Sequence, residues 1–301
     1  MSTRAKAALI GLQVLILAGL VTGAILLLST GDGEAKPAAV PKPKVDRFDA
    51  GRAYSLAARQ VALGPRPPLS AAQRKAALFL RAALPGGRFE SVPDGLRNIV
   101  GSLPGRMPAI LVVAHYDTTD EPGYLGANNS AAAVGAVVEL ARDLRASRRR
   151  GDRAVRFLLT DGEEAPRPFD GSDFYDKALR GSRAYVAAHA REIKQVVLLD
   201  FVGNRKLRLR RDLSSDPALW ARLQAAARRV GVARVFPSGT QGTVLDDHTP
   251  FLRAGIPAID LIDFDYPCWQ KRCDTMKQVS RASIDAAGEA VLELVQELKR
   301  H

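Results

Sequence analysis

Short, mostly apolar runs alternate with amphipathic segments from Phe48 to the C-terminus. Helical periodicity marks several stretches, one of which has Ser70 in the position of an N-cap. Short apolar runs between such helices are typical of strands buried on both faces of a largely parallel sheet. The pattern therefore predicts an α/β fold of three layers. The predicted helices are 48–62, 71–84, 131–144, 179–189, 217–229 and 280–299, and the predicted strands are 88–91, 97–102, 109–114, 155–159, 196–199, 207–210 and 258–262.

The N-terminal segment 7–28 carries no charged residue, and Arg4 and Lys6 precede it. A helix of this length would span roughly 33 Å, which is enough to cross the hydrocarbon core of a bilayer. A cleavable signal has a shorter apolar region of roughly 7–15 residues. We therefore expect a single-pass transmembrane anchor over residues 1–28, with the body outside the cytoplasm. A Pro- and Gly-rich linker over 29–47 and one domain over 48–301 complete the predicted organisation.

The composition of the 301-residue chain suits a folded body with a basic surface. Hydrophobic residues make up 47% of the chain, which excludes global disorder, and the formal net charge is +12. Arginine clusters at 148–156 and 205–211 could contact anionic lipid headgroups, but such clusters more often form solvent-exposed surfaces. They lack interleaved aromatic residues, so we expect no nucleic-acid partner.

Polar side chains follow four of the predicted strands. In open parallel sheets the carboxyl ends of the strands meet at one edge, where ligands bind. Carboxylates that converge there repel one another unless a cation or shared protons intervene. The pattern thus predicts a metal or acid–base site. Its candidate residues are His115, Asp117, Asp161, Glu163, Glu164, Asp200, Asp263 and Asp265.

Four motifs occur in order along the chain: His115-Tyr-Asp117, Gly126-Ala-Asn-Asn129-Ser, Asp161-Gly-Glu-Glu164-Ala and Asp246-Asp-His-Thr-Pro-Phe251. They resemble those of zinc aminopeptidases and glutaminyl cyclases, in the same order and over residues from about 50 to 300. The resemblance is closer to the glutaminyl cyclases. It implies a zinc exopeptidase-like fold with a central mixed, mostly parallel sheet, and peptide N-termini as substrates.

The resemblance also implies roles for individual residues. In the cyclases one zinc polarises the γ-amide carbonyl of an N-terminal glutamine, and a glutamate carries a proton from the α-amine to the departing ammonia. Glu163 would be this proton shuttle and Glu164 a zinc ligand. Asp200 and Asp246 would form a hydrogen-bonded acid network, and Trp269 would wall the substrate pocket.

In the two-zinc aminopeptidases the same positions would act differently. His115 and Asp200 would bind a second metal, and Glu163 would activate a water molecule. The implied cofactor is therefore one zinc ion, or two in the aminopeptidase arrangement.

Two implied metal ligands are altered in this chain. The family's metal-binding aspartate falls on Asn129, and its histidine after the tryptophan falls on Gln270. Amide oxygens are weak, neutral substitutes for these ligands, so we expect weak zinc binding. A replacement carboxylate would make the site oxygen-rich and favour Ca²⁺ or Mg²⁺. The candidates for that replacement are Asp170, Asp173, Asp263 and Asp265.

The two cysteines, Cys268 and Cys273, bracket Trp269 and Gln270. In an exported domain this spacing favours a loop-closing disulfide over a two-cysteine zinc site.

Two functions are consistent with these features. The preferred one is a membrane-anchored, zinc-dependent enzyme that acts on peptide N-termini as a glutaminyl-peptide cyclotransferase or an aminopeptidase. The alternative is a catalytically degenerate relative that binds a peptide or a partner. The clustered carboxylates favour the enzyme, whereas Asn129 and Gln270 favour the binding module.

Overall fold

A six-stranded mixed sheet forms the centre of the fold in the computed structural model, which describes residues 39–301. A separate pair of short parallel strands lies outside this sheet. In chain order the strands are β1 (Arg88–Ser91), β2 (Arg97–Leu103), β3 (Arg106–His115), β4 (Arg153–Thr160), β5 (Ile193–Leu199), β6 (Arg211–Asp212), β7 (Thr240–Gln241) and β8 (Ala258–Leu261).

The strand order in the main sheet is β1-β2-β4-β3-β5-β8. Strand β3 pairs in parallel with β4 and β5, and β5 pairs in parallel with β8. Strand β2 runs antiparallel to both β1 and β4. The predicted mixed, mostly parallel sheet is thus confirmed. Because β3, β4, β5 and β8 share one direction, their carboxyl ends lie along the same edge.

Helices cover both faces of the sheet, which gives the three predicted layers. Along β3, Ile110 and Val112 pack in a core with residues of the helices that begin at Ala50, Ala133 and Arg281. Leu111 and Val113 pack in a second core on the opposite face of the sheet. This period of two explains why the strand reads as a continuous apolar run. The helices are α1 (Ala50–Val61), α2 (Ala71–Ala83), α3 (Ala133–Ala146), α4 (Phe174–Lys177), α5 (Arg180–His189), α6 (Pro217–Arg229), α7 (Thr249–Arg253) and α8 (Arg281–Leu298).

Side-chain caps define the start of α1, α2 and α6. The Ser70 side chain accepts a hydrogen bond from the backbone N–H of Gln73, so the predicted N-cap of α2 is confirmed. Asp216 caps α6 in the same way, and Pro217 occupies the first helical position, where no backbone donor is needed.

The predicted strand at 207–210 is wrong. Residues Leu207 and Leu209 are buried and Arg208 is exposed, so the alternation is real, but it belongs to a loop. The backbone N–H of Leu209 bonds to the carbonyl of Val235 rather than to a neighbouring strand, and β6 begins only at Arg211.

Residues just before the predicted domain already contact it. The backbone N–H of Lys44 donates to the carbonyl of Val230, and Arg47 pairs with Glu289 and Glu293. Within residues 39–301, no helix has the length and apolar character needed to cross a bilayer. The predicted anchor at 7–28 lies outside the described residues.

Candidate functional site

The site lies at the carboxyl ends of the parallel strands. His115 is the last residue of β3, Glu163 and Glu164 follow β4, and Asp200 follows β5 directly. Asp246 reaches the same place from the loop that precedes α7. All five side chains are buried. The sheet and this loop therefore bring together part of the predicted site, namely His115, Glu163, Glu164, Asp200 and Asp246.

His115 is the central contact of this cluster. Its Nδ1 atom lies 3.6 Å from Asp117 Oδ1 and 3.7 Å from Glu163 Oε2, and its Nε2 atom lies 3.6 Å from Asp200 Oδ1. The Nε2 atom is also 2.6 Å from Asn129 Oδ1. Since a carbonyl oxygen can only accept, the imidazole is the donor in that bond.

Charge balance explains how His115 tolerates burial. Desolvation alone would lower the pKa of the imidazole. The charge of Glu163 and the contacts with Asp117 and Asp200 outweigh that effect and raise the pKa well above its ordinary value. The surrounding carboxyl groups thus favour proton binding by the imidazole.

Glu163 and Asp246 hold protons more readily than ordinary carboxyl groups. Burial is the largest effect and raises the pKa of each well above its usual range. The charges of Glu164 and Asp246 raise the pKa of Glu163 further, and His115 lowers it. Asp200 and Asp247 raise the pKa of Asp246 in the same way, and His115 again lowers it. The cluster can therefore share protons, as acid–base catalysis requires.

Asp117 orients the Glu-Glu pair through the backbone. Its two carboxylate oxygens accept hydrogen bonds from the N–H groups of Glu163 (3.3 Å) and Glu164 (3.2 Å). These bonds fix the turn after β4, so that both glutamate side chains face the cluster. Asp117 belongs to the first motif, but nothing in the motif indicates this supporting role.

An irregular turn places Asn129 in the cluster. The turn spans Ala127–Ala132 before α3, and Asn129 departs from helical geometry with φ −108° and ψ 89°. Gly126 precedes it in the left-handed region, at φ 55°, and a Cβ on that glycine would come within 2.2 Å of the Asn129 carbonyl oxygen. Only glycine therefore fits at the start of this turn.

The side chains at the implied zinc position do not fit zinc. Asn129 Nδ2 donates to Glu164 Oε1 at 3.1 Å, and Gln270 Nε2 donates to Glu164 Oε2 at 3.4 Å. Metal ligands must direct lone pairs at the cation, whereas these amides direct hydrogens at the carboxylate. Across residues 39–301, no group of three or more His, Cys, Asp or Glu side chains is arranged to hold a metal ion.

The candidate replacement carboxylates are engaged elsewhere. Asp263 accepts hydrogen bonds from Asn204 Nδ2 and the Arg208 backbone, and Asp265 pairs with Arg210. Asp170 is exposed and bonds to its own loop, and Asp173 is also exposed. Within residues 39–301, none of these four carboxylates belongs to a group of side chains arranged to hold a metal ion.

His248 has a structural environment. It is fully buried, its Nε2 atom lies 2.8 Å from Ser214 Oγ, and Asp212 and Asp260 lie 3.7 Å and 3.9 Å from its ring nitrogens. These contacts tie the Asp-Asp-His motif to β6 and β8.

An aromatic pair and a closed loop lie next to Gln270. Trp269 is 45% exposed and packs edge-on against Phe264, with ring centroids 5.7 Å apart. Cys268 and Cys273 form a disulfide that encloses Trp269 and Gln270. The loop thus offers an exposed apolar surface beside the acidic cluster.

The fold and this cluster define a class of protein. The sequence profile of peptidase family M28 matches residues 98–295, and the chain belongs to that family. The predicted resemblance to zinc exopeptidases and glutaminyl cyclases is therefore confirmed. Membership in this metallopeptidase-like family is consistent with an enzyme of the zinc-dependent type.

Individual proteins of known sequence or structure are similar to this chain. The chain is 28% identical to glutaminyl-peptide cyclotransferase of Bos taurus over 236 residues, 65% of each chain. The Porphyromonas gingivalis glutaminyl cyclase structure matches with a TM-score of 0.75 at 26% identity, and covers 84% of this chain and 100% of its own. A Zn-dependent exopeptidase from Parabacteroides distasonis matches with a TM-score of 0.73 at 26% identity, covering 85% and 99%. The chain thus spans about 65% of the length of the bovine relative.

Proposed function

We propose that this protein acts on peptide N-termini and that glutaminyl-peptide cyclotransferase is its first candidate activity. The observation that carries the proposal is the convergence of His115, Glu163, Asp200 and Asp246 at one edge of the sheet. A bound cation stabilises the ionised form of buried carboxyl groups, and the α-ammonium of a peptide N-terminus is the cation that we propose for this cluster.

The residues of the site have separate roles in the proposed reaction. Asp200 and Asp246 accept hydrogen bonds from the α-ammonium. Glu163 removes a proton so that the amine can attack the γ-carbonyl carbon of the glutamine. The same carboxyl group donates that proton to the departing amide nitrogen and then passes on the second proton that the ring nitrogen loses, so that ammonium leaves and the enzyme ends in its starting state. Trp269 packs against the glutamine side chain from the exposed side.

Aminopeptidase activity would use the same ammonium site with a different nucleophile. Glu163 would then remove a proton from water rather than from the substrate amine. The sequence similarity to bovine glutaminyl-peptide cyclotransferase supports cyclisation.

A second candidate function is peptide binding without turnover. It is favoured by the two amides on Glu164, because they leave the site without the electrophile that a zinc-dependent relative uses. The acidic cluster and Trp269 would still recognise a peptide N-terminus.

One experiment separates these candidates. The full chain is incubated with peptides that begin with glutamine or leucine, and the products are identified by mass spectrometry. Pyroglutamyl peptide and ammonia would support the cyclase, and a released amino acid would support the aminopeptidase. Unchanged peptides that nonetheless bind would support the binding module, and unchanged peptides that do not bind would refute all three.

We also propose that the body is held at a membrane by residues 1–28, outside the cytoplasm. The uncharged segment 7–28 behind Arg4 and Lys6 supports this organisation. Protease added to intact cells should digest the body while the N-terminal segment stays in the membrane fraction. Full-length protein in the soluble cytoplasmic fraction would refute the anchor.

A further inference from the structure

His115, Asn129, Glu164 and Gln270 are joined by a linear chain of hydrogen bonds. His115 Nε2 donates to Asn129 Oδ1 at 2.6 Å, and Asn129 Nδ2 donates to Glu164 Oε1 at 3.1 Å. Gln270 Nε2 donates to the other carboxylate oxygen of Glu164 at 3.4 Å. Both oxygens of Glu164 are therefore satisfied by amide donors.

This hydrogen-bond pattern disfavours the binding of a cation at Glu164. A cation at Glu164 would need the oxygen of each amide turned towards it. Turning Asn129 would place its NH₂ group against His115 Nε2, so the imidazole would have to give up its Nε2 proton and accept there instead. The partial positive charge of the amide hydrogens meanwhile offsets the negative charge of Glu164 in part, as a cation would.

The backbone of Asn129 is also restrained. Its side chain is almost completely buried, and its N–H donates to Asp274 at 3.1 Å. The Asn128 N–H donates to the other oxygen of Asp274 at 2.8 Å. Asn129 therefore cannot swing away from Glu164 without breaking contacts on two sides.

Gln270 retains one unused donor. An amide nitrogen carries two hydrogens, and only one of them bonds to Glu164. The second forms no hydrogen bond to another residue within 39–301, and the side chain is exposed next to Trp269. A side-chain amide so placed is a suitable donor for a carbonyl oxygen that gains negative charge.

We propose that Asn129, Glu164 and Gln270 form a hydrogen-bonded replacement for a metal centre, and that the second N–H of Gln270 binds a carbonyl oxygen of the ligand. The first half, the replacement of a metal centre, is argued from the hydrogen bonds alone. The second half rests on the proposed function, since it takes the ligand to be a peptide N-terminus. The protein is then folded and able to bind its ligand without a metal.

Zinc uptake tests the first half. The untagged full chain is treated with a chelator and titrated with zinc, and bound metal and Tm are measured. The wild type should retain far less than one zinc per chain, with a Tm that neither zinc nor chelator shifts. The double variant Asn129→Asp with Gln270→His should bind about one zinc per chain and gain Tm with zinc. The control Gln278→His adds a histidine outside the group and should behave as wild type. Tight, stoichiometric zinc in the wild type would overturn the replacement.

Peptide affinity tests the second half. Gln270→Glu removes both N–H donors at constant size, and we expect about a 10-fold loss of affinity for a glutamine-initiated peptide, measured in chelator. Gln278→Glu adds the same charge elsewhere and should leave affinity unchanged. Equal affinity of wild type and Gln270→Glu would overturn the donor role while the proposed function stands. Failure of the wild type to bind the peptide would refute the proposed function and the donor role together, and zinc uptake would still decide the first half.

Discussion

Asp274 accepts a hydrogen bond from the backbone N–H of Asn129 at 3.1 Å, across 145 positions of the chain. The same buried carboxylate accepts hydrogen bonds from the hydroxyls of Tyr124 (3.3 Å) and Tyr266 (2.6 Å). It therefore joins the turn before α3 to the disulfide-closed loop. The two segments that supply the amides on Glu164 share this one anchor.

Replacing Asp274 should disturb both segments. In Asp274→Ala the buried donors of Asn128, Asn129, Tyr124 and Tyr266 lose their acceptor. At about 1–3 kcal/mol for an unsatisfied buried group, we expect a loss of about 3 kcal/mol or more in the free energy of unfolding. Urea denaturation measures it. Asp120→Ala, at an exposed aspartate, is the control, and equal stability of the two variants would show that Asp274 is not an anchor.

The Cys268–Cys273 disulfide should stabilise the loop that carries Trp269 and Gln270. Closing a loop of this size contributes about 2 kcal/mol in the chain-entropy description. The double variant Cys268→Ser with Cys273→Ser should lose about that much stability and bind a glutamine-initiated peptide more weakly. Reduction of the wild type should reproduce both effects. Unchanged peptide affinity after reduction would show that the disulfide does not support peptide binding.

Buried carboxyl groups outside the site predict the pH dependence of stability. Burial raises the pKa of Asp143 to about 7 and the pKa values of Asp263 and Asp285 to about 6. The same groups titrate near 4 in an unfolded chain. Between about pH 4 and pH 7 the folded state therefore binds more protons, and stability falls as the pH rises through that window. We expect a higher Tm at pH 5 than at pH 8.

One variant isolates part of this effect. Asp143 lies near Glu139, whose negative charge adds to the effect of burial on the Asp143 pKa. Asp143→Asn should raise Tm more at pH 8 than at pH 5, because the native carboxyl group is already protonated at pH 5 and only the unfolded state is ionised there. Asp176→Asn, at an exposed position, should change neither value. A Tm that rises steadily from pH 5 to pH 8 in the wild type would contradict the argument.

Glu163 should matter for turnover more than for binding. Glu163→Gln keeps the size of the side chain but cannot carry a proton, so we expect a fall in kcat of about 100-fold or more. Peptide affinity should change far less, because Asp200 and Asp246 contact the ammonium in the proposal. Glu121→Gln removes a charge in a nearby loop and serves as the control. Equal losses in kcat and affinity would point to a purely structural role for Glu163.

The strand-end residues of the site could be predicted from the sequence because their strands are recognisable. The apolar runs before His115 and Asp200 place both residues at the same edge of a parallel sheet. Asp274 could not be found in this way, since it lies in a loop without periodicity and acts through backbone N–H groups. The substitutions at Asn129 and Gln270 are visible in the sequence. The direction of their amides depends on His115 and Glu164, and only the three-dimensional contacts reveal it.

The central claim, that the acidic cleft receives a peptide N-terminus, is tested most directly by isothermal titration calorimetry of the full chain with one glutamine-initiated peptide in free and N-acetylated forms. Acetylation removes the positive charge and the charge-assisted hydrogen bonds to Asp200 and Asp246, which are worth about 1.5–3 kcal/mol each. We predict that the free peptide binds at least about 10-fold more tightly than the acetylated one. Equal affinity for the two forms, or tighter binding of the acetylated peptide, would contradict the claim.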